Sequence, residues 1–175
     1  MTLFDTNIIE QFQFSMENLC LEMLHQGYEN MIAEKRYDVD WTEDKLTVHY
    51  IAYMNALEIR KENQISIVPQ AMLYSDSHAF EEDDVATAPR IDFKFLKWNQ
   101  KEEKDYFAEA KNVSELNWTK KEGKSVNASY YYKRYIETGI GHLISGYYPS
   151  NCVLLAYVVN GDKNAVITEL NTRIT

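Results

Sequence analysis

Residues 90–111 read RIDFKFLKWNQKEEKDYFAEAK, and their pattern predicts the centre of the fold. Ile91, Phe93 and Phe95 occupy every second position, which is the period of a strand with one apolar face. A second alternating segment covers residues 106–111. Because the segment between the two is polar and of suitable length, the pattern predicts two neighbouring strands joined as a hairpin.

The second segment also admits a helical interpretation. Residues 100–112 are rich in Glu, Lys and Ala, which are good helix formers. Their charges would then form ion pairs one turn apart on a solvated helix. The aromatic pair Tyr106 and Phe107 favours the strand, and the helix stays open as the alternative.

Apolar periodicity predicts the remaining elements. In order, they are a helical extension over 1–40, a helix over 43–60, a strand over 65–68 that 71–74 continues past Pro69, strands over 90–96 and 106–111, a helix over 127–145 and a strand over 152–159. Thr42 is the expected N-cap of the second helix. The last strand is an almost unbroken apolar run, which predicts that both its faces are covered. The chain, 1–175, is predicted to be one α/β domain with a mixed central β-sheet flanked by helices and a core at 43–159.

Composition excludes several classes of protein. With 175 residues, 45% of them hydrophobic, the chain can bury a core and is not predicted to be disordered. No apolar run reaches the roughly 18 residues of a membrane helix, and no secretory leader is recognised, so a cytoplasmic protein without membrane association is expected. Cys20 and Cys152 lie far apart and are expected to be small buried hydrophobes.

Charge is unevenly distributed along the chain. The net charge is −9, which is unfavourable for a protein that binds nucleic acid. Residues 1–89 carry 5 Lys/Arg and 17 Asp/Glu, whereas residues 90–134 carry 11 and 7. The basic stretch therefore surrounds the hairpin, and Lys94, Lys133 and Arg134 are candidate nucleic-acid contacts. A solvated face is the alternative, and the small basic footprint predicts a homo-oligomer or a complex with a partner protein.

Chemistry is expected where the two strands meet. A hairpin would bring Asp92 beside Glu109, and two adjacent carboxylates repel unless a cation lies between them. Oxygen ligands favour a hard divalent ion, so Mg²⁺ or Mn²⁺ is predicted. Lys111, two residues from Glu109, would position the attacking water and stabilise charge in the transition state. The arrangement predicts metal-assisted hydrolysis of a phosphodiester.

The two segments resemble the signature of the PD-(D/E)xK, or restriction-endonuclease-like, nuclease superfamily. The matching motifs are PRID at 89–92 and FAEAK at 107–111, although the proline stands three positions before the aspartate rather than directly before it. The order of elements over 43–159 is also similar to the common core of that superfamily. The resemblance implies an endonuclease that hydrolyses DNA more readily than RNA.

The resemblance also implies roles for individual residues. Asp92, Glu109 and the main-chain carbonyl of Ala110 would hold the metal, and Lys111 would serve the water. A glutamate of the first core helix often joins such sites, and Glu43 is the first candidate here, ahead of Glu58.

A looser similarity covers residues 135–148 and 156–161. These segments resemble uncharacterised bacterial members of the superfamily that are linked to restriction or phage defence. The likeness implies that Gly139 and Gly141 allow a helix to pack closely on the sheet. It specifies no substrate.

Other interpretations stay open beside the nuclease. One is a catalytically inactive nuclease fold that acts as a binding or assembly module. Another is a different α/β binding protein in which Glu109 and Lys111 merely pair. The consecutive tyrosines 130–132 invite base stacking, but core packing with exposed hydroxyls is the favoured interpretation. The four histidines show no metal-binding spacing.

Overall fold

The computed structural model describes residues 6–73, 88–99 and 102–174, with side chains for 16–73, 88–98 and 102–174. The chain divides into two compact units, which are residues 1–35 with 48–107 and residues 36–47 with 108–175. Whether they fold as one domain stays a prediction. Tyr74, the end of one predicted strand, lies outside the described residues.

The described chain begins with three helices, continues with five strands and three further helical segments, and ends with a strand and a helix. The helices are α1 (Thr6–Glu34), α2 (Glu43–Ala56), α3 (Glu58–Glu62), α4 (Ala128–Arg134), a π-helical turn (Tyr135–Ile140), α5 (Gly141–Ile144) and α6 (Lys163–Ile174). The strands are β1 (Ile65–Met72), β2 (Arg90–Asn99), β3 (Glu102–Ser114), β4 (Trp118–Thr119), β5 (Ser125–Val126) and β6 (Cys152–Asn160). The main sheet has the order β1-β2-β3-β6, and β4 and β5 form a separate hairpin. The predicted α/β class with a mixed central sheet flanked by helices is confirmed. None of the described helices is long and apolar enough to cross a membrane.

The first unit follows the predicted alternation. Ile91, Phe93 and Phe95 are fully buried, whereas Asp92 and Lys94 on the opposite face of β2 are half-buried. β1 pairs antiparallel with β2 and continues through its proline without interruption. In α1, Met16, Met23 and Leu24 are buried, as expected for a helix with one apolar face, whereas Leu19 is half-buried.

Strand β3 corrects three predictions. The helical alternative for residues 100–112 is wrong, because Glu102–Ser114 is a strand. The prediction that residues 97–105 connect the two strands is also wrong, since β2 extends to Asn99 and β3 begins at Glu102. Every residue of Tyr106–Ser114 is buried, so both faces of β3 are covered. By contrast Ala156 and Val158 of β6 are exposed. β6 also lies at the edge of the sheet. Because β3 is buried throughout residues 106–114 and β6 is partly exposed, the strand covered on both faces is the polar β3 and not the apolar β6.

The second unit has its own core. Val113 of β3 packs with Ala128 and Tyr132 of α4 and with Val166 and Leu170 of α6. Helix α6 was not predicted from the sequence, although its start carries a recognisable signal. The Asp162 carboxylate caps it by accepting from the main-chain N–H groups of residues 164 and 165 at 2.9 and 3.0 Å.

Candidate functional site

The second unit brings together four of the predicted catalytic and metal-binding residues. Glu109, Ala110 and Lys111 lie on β3, and Glu43 is the first residue of α2. Asp92 lies on β2, in the first unit. Its proximity to Glu109 therefore stays a prediction.

Lys111 lies at the centre of the cluster. Its Nζ donates to Glu109 Oε1, to the Ala110 carbonyl oxygen at 2.9 Å and to Glu43 Oε1 at 3.3 Å. The Lys111 and Glu109 side chains are only 7% and 6% exposed, and that of Glu43 is 16% exposed. Because buried charges are costly unless paired, this mutual pairing is what permits three ionisable groups at one buried point.

The start of α2 holds Glu43 in place. Thr42 is the N-cap, as predicted, since its Oγ1 accepts the main-chain N–H of Lys45 at 3.3 Å. Glu43 then falls in the first helical turn, where the helix dipole favours a negative charge. Its Oε2 accepts the Asn112 main-chain N–H at 3.0 Å, and Arg134 approaches its Oε1 at 3.7 Å. The carboxylate therefore connects α2 to β3 and α4.

Glu109 has further partners. The buried Tyr148 hydroxyl donates to Glu109 Oε1 at 2.9 Å. The charge of Glu109 also acts on the Cys152 thiol, because burial and, second, this negative charge raise the pKa of Cys152 to about 12. The sequence did not single out Tyr148, which is one of several tyrosines in its segment.

The oxygens of this cluster are suited to a hard cation. Glu43 Oε1, Glu109 Oε1 and the Ala110 carbonyl converge on one point, where the Lys111 ammonium now lies. Carboxylate and carbonyl oxygens are the ligands that Mg²⁺ and Mn²⁺ prefer. Within the described part of the chain, no three His, Cys, Asp or Glu side chains are grouped to hold a metal. The second unit therefore offers two carboxylates and one carbonyl.

A cavity of about 750 Å³ opens beside Glu43, and we call it the hairpin cavity. Its walls come from the start of α2, the β4–β5 hairpin and the start of α4. They carry three cations, Lys120, Lys124 and Arg134, and the largely exposed ring of Tyr130. Of the predicted nucleic-acid contacts, Arg134 is the one that lines this cavity.

Hydrogen bonds hold the hairpin against the segment before α2. Trp118 Nε1 and the Lys121 main-chain N–H donate to the Asp40 carboxylate at 3.3 and 2.9 Å. Lys120 Nζ donates to the Asp40 carbonyl at 2.7 Å, and Lys121 pairs with Asp38. That pairing lowers the pKa of Asp38 and raises the pKa of Lys121. Four contacts thus fix the position of the hairpin lysines.

The remaining predicted residues lie in surface ion pairs. Glu58 of α3 accepts from Lys61 one turn later at 2.6 Å, with both side chains exposed. Lys94 of β2 approaches Glu103 at 3.7 Å. Lys133 and Glu137 are exposed and 3.8 Å apart. Glu43, and not Glu58, is therefore the helical glutamate that contacts Lys111.

Comparisons with protein-family models, with curated proteins and with solved structures find no match to this chain. The resemblance to the PD-(D/E)xK superfamily accordingly stays a prediction.

Proposed function

We propose that the protein is a metal-dependent nuclease that hydrolyses phosphodiester bonds, with DNA rather than RNA as its substrate. The convergence of Glu43, Glu109 and Ala110 oxygens on Lys111 Nζ carries the proposal. A buried point that already holds one cation among oxygen ligands is suited to a divalent ion. A role in restriction or phage defence rests only on the sequence resemblance.

The proposed roles follow from these contacts. Glu43, Glu109 and the Ala110 carbonyl would hold Mg²⁺ or Mn²⁺, with Asp92 as a further carboxylate. The bound ion would polarise the scissile phosphate and lower the pKa of its water. Lys111, released from its carboxylate partners, would orient that water and stabilise negative charge on the phosphate oxygens. Tyr148 would keep the Glu109 carboxylate in position.

Cleavage of plasmid and single-stranded DNA in Mg²⁺ or Mn²⁺ tests the proposal. The wild type is compared with Lys111→Ala, Glu109→Gln and Asp92→Ala, and with Lys61→Ala as the control at an exposed lysine. We expect cutting by the wild type and the control and none by the three site variants, with folding checked by circular dichroism. Equal cutting by all five proteins would point to a contaminant and refute the assignment of the site.

An inactive binding or assembly module is the second candidate, and one observation favours it. Lys111 already occupies the point on which the oxygens converge, so that both carboxylates have a cationic partner without a metal. In this case calorimetry would detect no binding of Mn²⁺ and no variant would cut DNA. A homo-oligomer or a protein partner stays part of either proposal, because residues 1–89 are strongly acidic.

A further inference from the structure

The hairpin cavity combines features that suit one kind of ligand. Its volume of about 750 Å³ falls within the range of small-molecule sites. Its lining contains three cationic side chains and two tyrosines, together with the acidic side chains of Glu43 and Asp44 at one wall. Phosphate groups bind cations, and every nucleobase can stack on an aromatic ring.

The two tyrosines in the cavity lining differ in their surroundings. The Tyr131 ring stacks on Trp118, with ring centres 5.8 Å apart and planes inclined by 20°. Burial raises the pKa of Tyr131, while a hydrogen bond from the Asn112 side chain acts in the opposite direction. Tyr130 lies next to this pair, with ring centres 6.1 Å apart, and is 59% exposed. The tyrosines therefore offer one supported ring and one open ring.

The cations are not fully engaged by the protein. Lys120 donates to a main-chain carbonyl, which leaves its charge uncompensated by that contact. For Lys124 no side-chain partner is present among the described residues. Arg134 is 3.7 Å from Glu43 and 38% exposed, so that it faces both the ion cluster and the cavity. All three cations line the cavity in which a phosphate would bind.

We propose that the hairpin cavity binds an unpaired nucleotide of a DNA strand, with its base on Tyr130 and its phosphate on Lys120, Lys124 and Arg134. In duplex DNA the Watson–Crick N–H donors are engaged and the base faces are stacked. A base can stack on the open ring of Tyr130 only when it is unpaired. The inference rests on the proposed function, because Glu43 would then connect the bound strand to the reaction site.

Strand binding measured without metal tests this inference independently of cleavage. Fluorescence anisotropy is measured in EDTA with a fluorescein-labelled single strand of mixed sequence and with the same strand in a duplex. We expect tighter binding of the single strand. Tyr130→Ala should weaken this binding by about tenfold, the typical loss of one base stack. Lys124→Ala should lower the salt dependence by about one phosphate contact. Tyr28→Ala and Lys61→Ala, at exposed positions of α1 and α3, are the matched controls and should change neither.

The outcomes distinguish the two proposals. Single-strand binding that depends on Tyr130, together with absence of cleavage in Mn²⁺, would support the inference and refute the nuclease. Cleavage that depends on Lys111, with equal affinity for single strand and duplex, would refute the inference and leave the nuclease standing. Loss of affinity in Tyr28→Ala equal to that in Tyr130→Ala would also overturn the inference, because the effect would not be local to the cavity.

Discussion

Replacing Lys111 with methionine should strongly destabilise the protein. Methionine keeps most of the side-chain volume but removes the positive charge that pairs with both Glu109 and Glu43. The side chains of these two glutamates are only 6% and 16% exposed. Arg134 and the Asn112 N–H would still contact Glu43, whereas Glu109 would keep the Tyr148 hydroxyl. Removing one partner of a buried ion pair costs about 3–5 kcal/mol. For a chain of this size that loss lowers the Tm by about 6–20 °C.

Lys61→Met provides the matched control. Lys61 also contacts a glutamate, Glu58, at 2.6 Å, but the two side chains are 49% and 77% exposed. Exposed pairs contribute about 0–1 kcal/mol, so this variant should unfold close to the wild type. Both variants replace a lysine that pairs with a glutamate. The pair is buried at Lys111 and exposed at Lys61.

Urea unfolding followed by circular dichroism measures both variants. Addition of Mn²⁺ should stabilise Lys111→Met, because the ion can replace the missing ammonium. A loss below about 1 kcal/mol in Lys111→Met would refute the argument that the buried charges depend on Lys111.

Two further predictions concern packing and cysteine chemistry. A Cβ at Gly139 would lie 2.9 and 3.1 Å from the Leu154 methyls, whereas one at Gly141 meets only a helix carbonyl at 3.4 Å. Gly139→Ala should therefore destabilise the protein by about 1–3 kcal/mol in urea unfolding. Gly141→Ala should be neutral or slightly stabilising, and equal effects would contradict the packing argument. Burial and, second, the charge of Glu17 raise the pKa of Cys20 to about 12, so iodoacetamide at about pH 8 should label it far more slowly in folded than in unfolded protein. Equal rates in peptide mapping would contradict this.

The period of the apolar residues was sufficient to predict most elements. Ile91, Phe93 and Phe95 predict β2 because one strand face is buried and the other contains polar residues. The apolar pattern gave a wrong prediction where the buried residues are polar. Glu109 and Lys111 are buried on β3 because they neutralise each other there, so local composition could not identify β3 as the strand covered on both faces.

Glu43 shows which residues of a candidate site can be predicted from a single sequence and which cannot. Spacing on β3 identified Glu109 and Lys111, because two residues on one strand face are neighbours whatever the rest of the fold does. Glu43 lies far from them in the chain, and only the position of the α2 N-terminus relative to β3 decides whether it or Glu58 takes part. The Asn112 main-chain N–H fixes that choice by donating to Glu43 Oε2 at 3.0 Å. The same contact joins the ion cluster to a wall of the hairpin cavity. A substitution at Glu43 should therefore affect both metal binding and strand binding, whereas one at Tyr130 should affect strand binding alone.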